Sequence, residues 1–279
     1  MTGDPGSETY DFEYRLSQLL AAAQEAVGRA NLALQEALLS DVRRDSMPQI
    51  AVWRLHLGAT STFFGIIQCL RSRFSSLGGY SLLRGLIEAW THLYFIADES
   101  EAGTPALRAI RFEAGVLSEW ASVEKKIRPE IDYDEITRRH RETIKELWNA
   151  NHGKGEPKRR TYKDVNRTLE KMAKAPDLKR LEIFHSSSSV AVHMLASDFL
   201  LESSGLGVTV VWASTGRRYA WLQLAIMCFD YLTISALSSV PSPEHNAIAR
   251  ELHARWQEIY NDPLLVHAVA AESDSEWSL

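Results

Sequence analysis

A chain of 279 residues with 45% hydrophobic and 24% charged residues has the composition of a globular protein, too apolar for a disordered one. Two cysteines, Cys69 and Cys228, stand in apolar helical runs outside any Cys-x-x-Cys or zinc spacing, which excludes a disulfide framework or zinc module and points to reduced thiols. The net charge of −5 hides an asymmetry: residues 125–180 hold 17 basic and 10 acidic side chains, leaving 14 and 26 elsewhere. A basic segment on an acidic body suits a nucleic-acid footprint or a solvated helix surface. The polar, acidic start from Met1 to Asp11 shows no signal-peptide pattern, so the expected location is the cytoplasm.

Nine prolines punctuate the chain, each outside a helical pattern or in its first turn, and between them the apolar period is near 3.6. The first helix has Phe12, Leu16, Leu19, Ala23, Ala26, Ala30, Leu34 and Leu38 at steps of three and four. The second repeats the rule with Ile50, Trp53, Leu57, Phe64 and Ile67. Further helices are predicted at about 79–98, 105–127, 133–151, 162–174, 177–201, 215–239 and 243–260. Only Val208 to Trp212 is strand-like, and it is too short and isolated to build a sheet. The fold class is therefore all-α, a bundle of eight or nine helices. An N-terminal helix (1–44) leads into a core (45–240) with a basic insertion at about 125–180, then a C-terminal helix (241–270) and an acidic tail (271–279).

One stretch, Tyr219 to Val240, approaches a membrane span, but Gln223 and Asp230 interrupt it and a buried core helix is the reading adopted. The helix from Tyr133 to Asn151 interleaves its arginines with glutamates, as on a solvated surface, so no membrane partner is expected. The eight tryptophans, Trp277 apart, are read as core, and His56, His140, His152, His245, His253 and His267 as surface or capping residues.

The third helix carries the first chemical signal. It is apolar nearly all round, yet Arg84, Glu88 and His92 recur at steps of four and form one ridge. A buried charge must be paired, and Arg108 and Arg111 on the next helix are candidate partners. In the helix that follows the basic segment, His185, Ser189, His193 and Ser197 form a second polar ridge. If the two ridges face one another, Arg84, Glu88, His92, Arg111, His185, Ser189 and His193 converge in a low-dielectric setting where proton affinities shift readily. The alternative is a hydrogen-bond network that only fixes helix register.

The order Leu82 to Ala89, Leu107 to Phe112, Val165 to Ala173 and Ser189 to His193 resembles a bacterial all-helical family of unknown function, itself similar in outline to HEPN and abortive-infection proteins, over residues 45–240. The family's tyrosine before the Ser-x-x-Val-His segment is absent here, where Phe184 and His185 stand. The resemblance implies a HEPN-like core, a defence or toxin role, a homodimer, and metal-independent cleavage of RNA by an Arg and a His about one turn apart. Arg180 and His185 match that spacing. On this reading Arg180, His185, His193, Ser189, Arg84 and Glu88 are the catalytic candidates. His92, Arg111, Lys158, Arg159 and Arg160 are the binding candidates, and no cofactor is needed. A non-catalytic interaction or ligand-binding module is the alternative. A ferritin-like metal bundle is a minor one, drawn from Glu182-x-x-His185 with Glu88 and His92.

Overall fold

The structure, a computed structural model, describes residues 5–40, 46–72, 76–97, 103–175, 178, 179, 181, 185, 201–204, 207–210, 215–239 and 242–267. It is an all-α multi-helix bundle. Its long helices are α1 (Pro5–Ser40), α2 (Met47–Leu70), α3 (Ser76–Ala97), α4 (Pro105–Ile127), α5 (Tyr133–Ala150), α6 (Tyr162–Met172), α7 (Thr215–Ser238) and α8 (Pro243–Tyr260). A short helical turn follows at 263–267.

Local chemistry starts these helices where the sequence signals them. Pro48, Pro105 and Pro243 sit in the first turns of α2, α4 and α8, where a missing N–H costs nothing. Thr104 accepts from Leu107 N, Asp132 from Asp134 N and Glu135 N, and Thr161 forms a reciprocal capping box with Asp164.

One departure concerns residues 201–210. The helix expected to run to 201 has ended by then, because Leu201–Ser204 (β1) pairs antiparallel with Gly207–Val210 (β2), Leu201 opposite Val210 and Ser204 opposite Gly207. The strand-like run begins one residue earlier than expected and does find a partner, in a hairpin that an isolated strand pattern cannot announce.

α2 is the hub, packed chiefly on α3 and α7, while α1 and α8 close over α7 and α4 lies across α2 and α3. The stripe read in the second helix is only partly buried: Trp53 and Ile67 are in the core, and Ile50 and Phe64 pack against it. Phe63, Ile66 and Ile67 are fully buried whereas Leu57 is 46% exposed. His56, read as a surface residue, is fully buried, with Nε2 3.1 Å from Thr233 Oγ1 and its ring 5.1 Å from that of Phe229. Among the described residues two helices, α2 and α7, are long and apolar enough to cross a membrane by length and composition, and over half of each apolar window is buried inside the bundle. α2 joins the stretch that the sequence had singled out.

Buried arginines brace this frame. Arg108 donates through Nε to Ile96 O (2.9 Å), a carbonyl at the end of α3, and through Nη1 to Gly103 O in the turn into α4, where Gly103 supplies the positive φ of 92° that the turn needs. Arg218 donates to Leu70 O at the end of α2 (3.0 Å) and pairs with Glu13 of α1.

Burial lowers the His56 pKa from 6.5 to about 4, so the folded chain keeps this imidazole neutral. Its contribution is complete above the unfolded value of 6.5 and is lost as pH falls towards about 4, on the order of 3 kcal/mol. Urea unfolding midpoints measured from pH 7 to pH 4 should fall steeply, and His56→Leu should flatten that dependence.

Candidate functional site

The ridge of polar side chains on α3 is partly buried, and the structure splits it into two groups. In the first, Arg84 Nε donates to Glu88 Oε1 at 2.8 Å, one turn along the same helix. The Nε2 of His185 lies 3.3 Å from the same oxygen, so a single carboxylate is shared by a guanidinium and an imidazole. The His185 side chain is 6% exposed and that of Glu88 32%, which leaves the carboxylate at the edge of the interior with the imidazole behind it. Burial pushes the Glu88 pKa up, but the hydrogen bonds and charges of His185 and Arg84 outweigh it, and the net shift is downward. Glu88 is therefore a carboxylate across the neutral range.

The second group forms around Arg160. His92, one turn beyond Glu88, turns to Arg160, whose Nη1 lies 2.8 Å from His92 Nδ1. Burial pushes the His92 pKa down to about 3, helped by the Arg160 charge and opposed by Glu88. The neutral ring then presents an Nδ1 lone pair to the guanidinium, with its N–H on Nε2. Arg160 also donates to Thr168 Oγ1 (2.8 Å) and lies over the Phe95 ring, 4.2 Å from its centroid. Its backbone N bonds Arg111 O at 3.2 Å, and its carbonyl passes so close to Gly115 that a Cβ there would meet it at 2.8 Å. The segment before α6 is thereby pinned to α3 and α4.

These positions revise several binding candidates. Arg160 is 3% exposed and is a brace rather than a surface cation. Arg111 donates to Lys158 O (3.0 Å) and stands 5.2 Å over Phe95, away from Glu88, and Arg159 donates to Ser118 Oγ (2.6 Å). Arg108, proposed as a partner for the α3 charges, instead caps the end of α3. His185 is the member of the second ridge brought to the first. Arg180, Glu182, Ser189, His193 and Ser197 lie outside the described residues. Of the ferritin-like set, Glu88 and His185 meet but His92 points to Arg160, and among the described residues no three His, Cys, Asp or Glu side chains gather as a metal ion would need.

The basic helix α5 is largely neutralised on one side. Arg138 pairs with Glu135 (2.8 Å), Arg141 with Asp134 (3.0 Å) and Lys145 with Glu156 (2.7 Å), bordering a groove of about 570 Å³ between α4, α5 and the loop before α6.

Several polar pairs between helices went unread in the sequence. Buried Asp230 of α7 accepts from His253 of α8, Nδ1 to Oδ2 2.5 Å, although Asp230 had registered only as an interruption of an apolar run. Buried Glu113 lies 3.1 Å from Arg54, and burial raises its pKa against the opposing Arg54 charge. Each residue looks isolated along its own helix, and only the crossing of helices supplies the partner.

No family model, curated protein or solved structure matches the chain.

Since Arg160 is enclosed by acceptors, Arg160→Leu should lower the unfolding free energy by about 2–4 kcal/mol, and Arg160→Lys should recover less than half of that because a single ammonium cannot span the fork. Guanidinium titrations of the three proteins test this.

Proposed function

We propose that this chain is a HEPN-related, defence or toxin-type protein that cleaves RNA without a metal ion, with His185 as the base, Glu88 as its orienting carboxylate and Arg84 beside them. The observation that carries the reading is the shared Glu88 oxygen, 2.8 Å from Arg84 Nε and 3.3 Å from His185 Nε2. With Nε2 of His185 directed at Glu88, the carboxylate orients the ring and Nδ1 is the nitrogen assigned to take the proton in the reaction.

The RNA 2′-hydroxyl loses its proton to Nδ1 as its oxygen attacks the neighbouring phosphorus. The P–O5′ bond breaks, and the 5′-oxygen leaves with a proton from the imidazolium or from water. The products are a 2′,3′-cyclic phosphate and a 5′-hydroxyl. Extra negative charge on the phosphoryl oxygens in the transition state is met by the cation of Arg84, with Arg180 as the further arginine that the HEPN resemblance implies. That resemblance also supplies the dimeric state of the proposal.

A second reading, a non-catalytic interaction module, is favoured by a different observation. Arg138, Arg141 and Lys145 are paired with carboxylates and Arg160 is buried, which removes four cations from the expected RNA footprint.

End-labelled single-stranded RNA, incubated in chelator with the wild-type chain and with His185→Ala, Glu88→Gln and Arg180→Ala, separates the two. Cleavage leaving cyclic phosphate ends is expected for the wild type, with a loss of about 100-fold or more for His185→Ala. If all four preparations leave the RNA alike, the catalytic reading fails and the interaction module stands.

A further inference from the structure

The Glu88 carboxylate and the imidazole that meets it come from different parts of the bundle. Glu88 stands in the middle of α3, whereas His185 follows α6 in the chain, beyond Leu178, packed against the core, and Leu181, fully buried. Arg84 reaches Glu88 at 2.8 Å from one turn away on the same helix, a contact that helix geometry alone maintains. The His185–Glu88 contact has no such guarantee. At 3.3 Å it is already longer than the usual N–H···O distance of about 2.9–3.0 Å, so a slip of roughly half an ångström between its two supports takes it out of hydrogen-bond range.

One side chain joins those supports. Arg160 lies in the segment before α6, with its backbone N bonded to Arg111 O of α4 at 3.2 Å and its carbonyl against Gly115, so the guanidinium projects from a fixed base. On the α3 side Nη1 meets His92 Nδ1 at 2.8 Å and Thr91 O at 3.4 Å, in the turn that follows Glu88. On the α6 side Nη2 meets Thr168 Oγ1 at 2.8 Å, and the Thr168 hydroxyl itself donates to Asp164 O at 3.0 Å, one turn back in α6. A planar fork with donors in fixed directions holds the two helices at one separation, as a single ammonium could not. His92 feels both neighbours: the Arg160 charge pushes its pKa down and the Glu88 charge pushes it up.

We infer that Arg160 is a positioning residue for the site: by tying the α3 turn beyond Glu88 to α6, it sets the distance between the Glu88 carboxylate and the His185 imidazole. Its meaning for catalysis rests on the proposed roles of His185 as base and Glu88 as orienting carboxylate. Arg160 and Thr168 are each 3% exposed, so neither touches RNA, and their effect on cleavage passes through the pair. A misplacement of about 1 Å in such a pair costs on the order of 100-fold in rate.

The test is a set of double-mutant cycles read from urea unfolding of the full chain. One cycle combines His185→Ala with Glu88→Ala, the other Arg84→Ala with Glu88→Ala, and both are run in the parent and in Arg160→Lys, Thr168→Val and Thr168→Ser backgrounds. In the parent, coupling of about 3-fold or more is expected for His185 with Glu88, and about 2-fold for Arg84 with Glu88. The first coupling should vanish in Arg160→Lys and Thr168→Val and persist in Thr168→Ser, which keeps the hydroxyl; the second should persist in all. Thr168→Val keeps the side-chain shape and decides the matter if Arg160→Lys fails to fold. With RNA as substrate, kcat should fall about 10-fold or more in Arg160→Lys and Thr168→Val at unchanged KM. No His185–Glu88 coupling in the parent, coupling that survives both variants, equal loss of the Arg84–Glu88 coupling, or a raised KM with kcat intact overturns the inference. So does Thr168→Ser behaving as Thr168→Val. If the wild-type chain leaves RNA uncut the proposed function fails, and the couplings still decide whether Arg160 positions the pair.

Discussion

A guanidinium taken out of water must be met by acceptors, and the bundle is braced where three buried arginines find them. Arg108, Arg160 and Arg218 are 1, 3 and 2% exposed, and each reaches a main-chain carbonyl of another segment, to which Arg160 adds His92 and Thr168 and Arg218 adds Glu13. Two of the carbonyl sets lie at the ends of α3 and α2, where helical geometry leaves oxygens without intrahelical partners. The cost of burying the cation and the cost of ending a helix in the interior are met by the same bonds. α4, the segment before α6 and α7 are thereby placed around α2 and α3, and Glu88 is placed with them.

The helical frame was legible because its signals are local. Pro105 with Thr104, Pro243 with Ser242, and Asp132 ahead of α5 each announce a helix start through backbone chemistry that acts within one turn. What the sequence could not convey is which neighbour covers a given face. The periodic pattern assigns Leu57 and Trp120 to buried faces, yet both are exposed, and it leaves His56 on a polar face although α7 buries it. Likewise the hydrogen-bonded hairpin at 201–210 depends on a partner strand that carries no alternation of its own.

The candidate site was half legible for a geometrical reason. Steps of four residues advance about 40° around an α-helix, so Arg84, Glu88 and His92 form a spiral row, not a straight one. Adjacent members can pair, as Arg84 does with Glu88, whose oxygen His185 also meets, while the third has rotated far enough to meet Arg160. The basic segment shows the same limit in electrostatic form. Its excess charge is visible by counting, but whether a cation is neutralised, enclosed or available depends on neighbours such as Asp134, Glu156 and His92.

The pinning of Arg160 also has a bearing on chain continuity. The run from Gly153 to Glu156 lies between α5, which packs on α4, and a segment whose next few residues are already anchored on α3, α4 and Thr168. A proteolytic nick in that run would leave both pieces docked through interior contacts. The two fragments would then behave as a non-covalent complex, so the peptide link between the N-terminal and C-terminal portions can be severed without separating them.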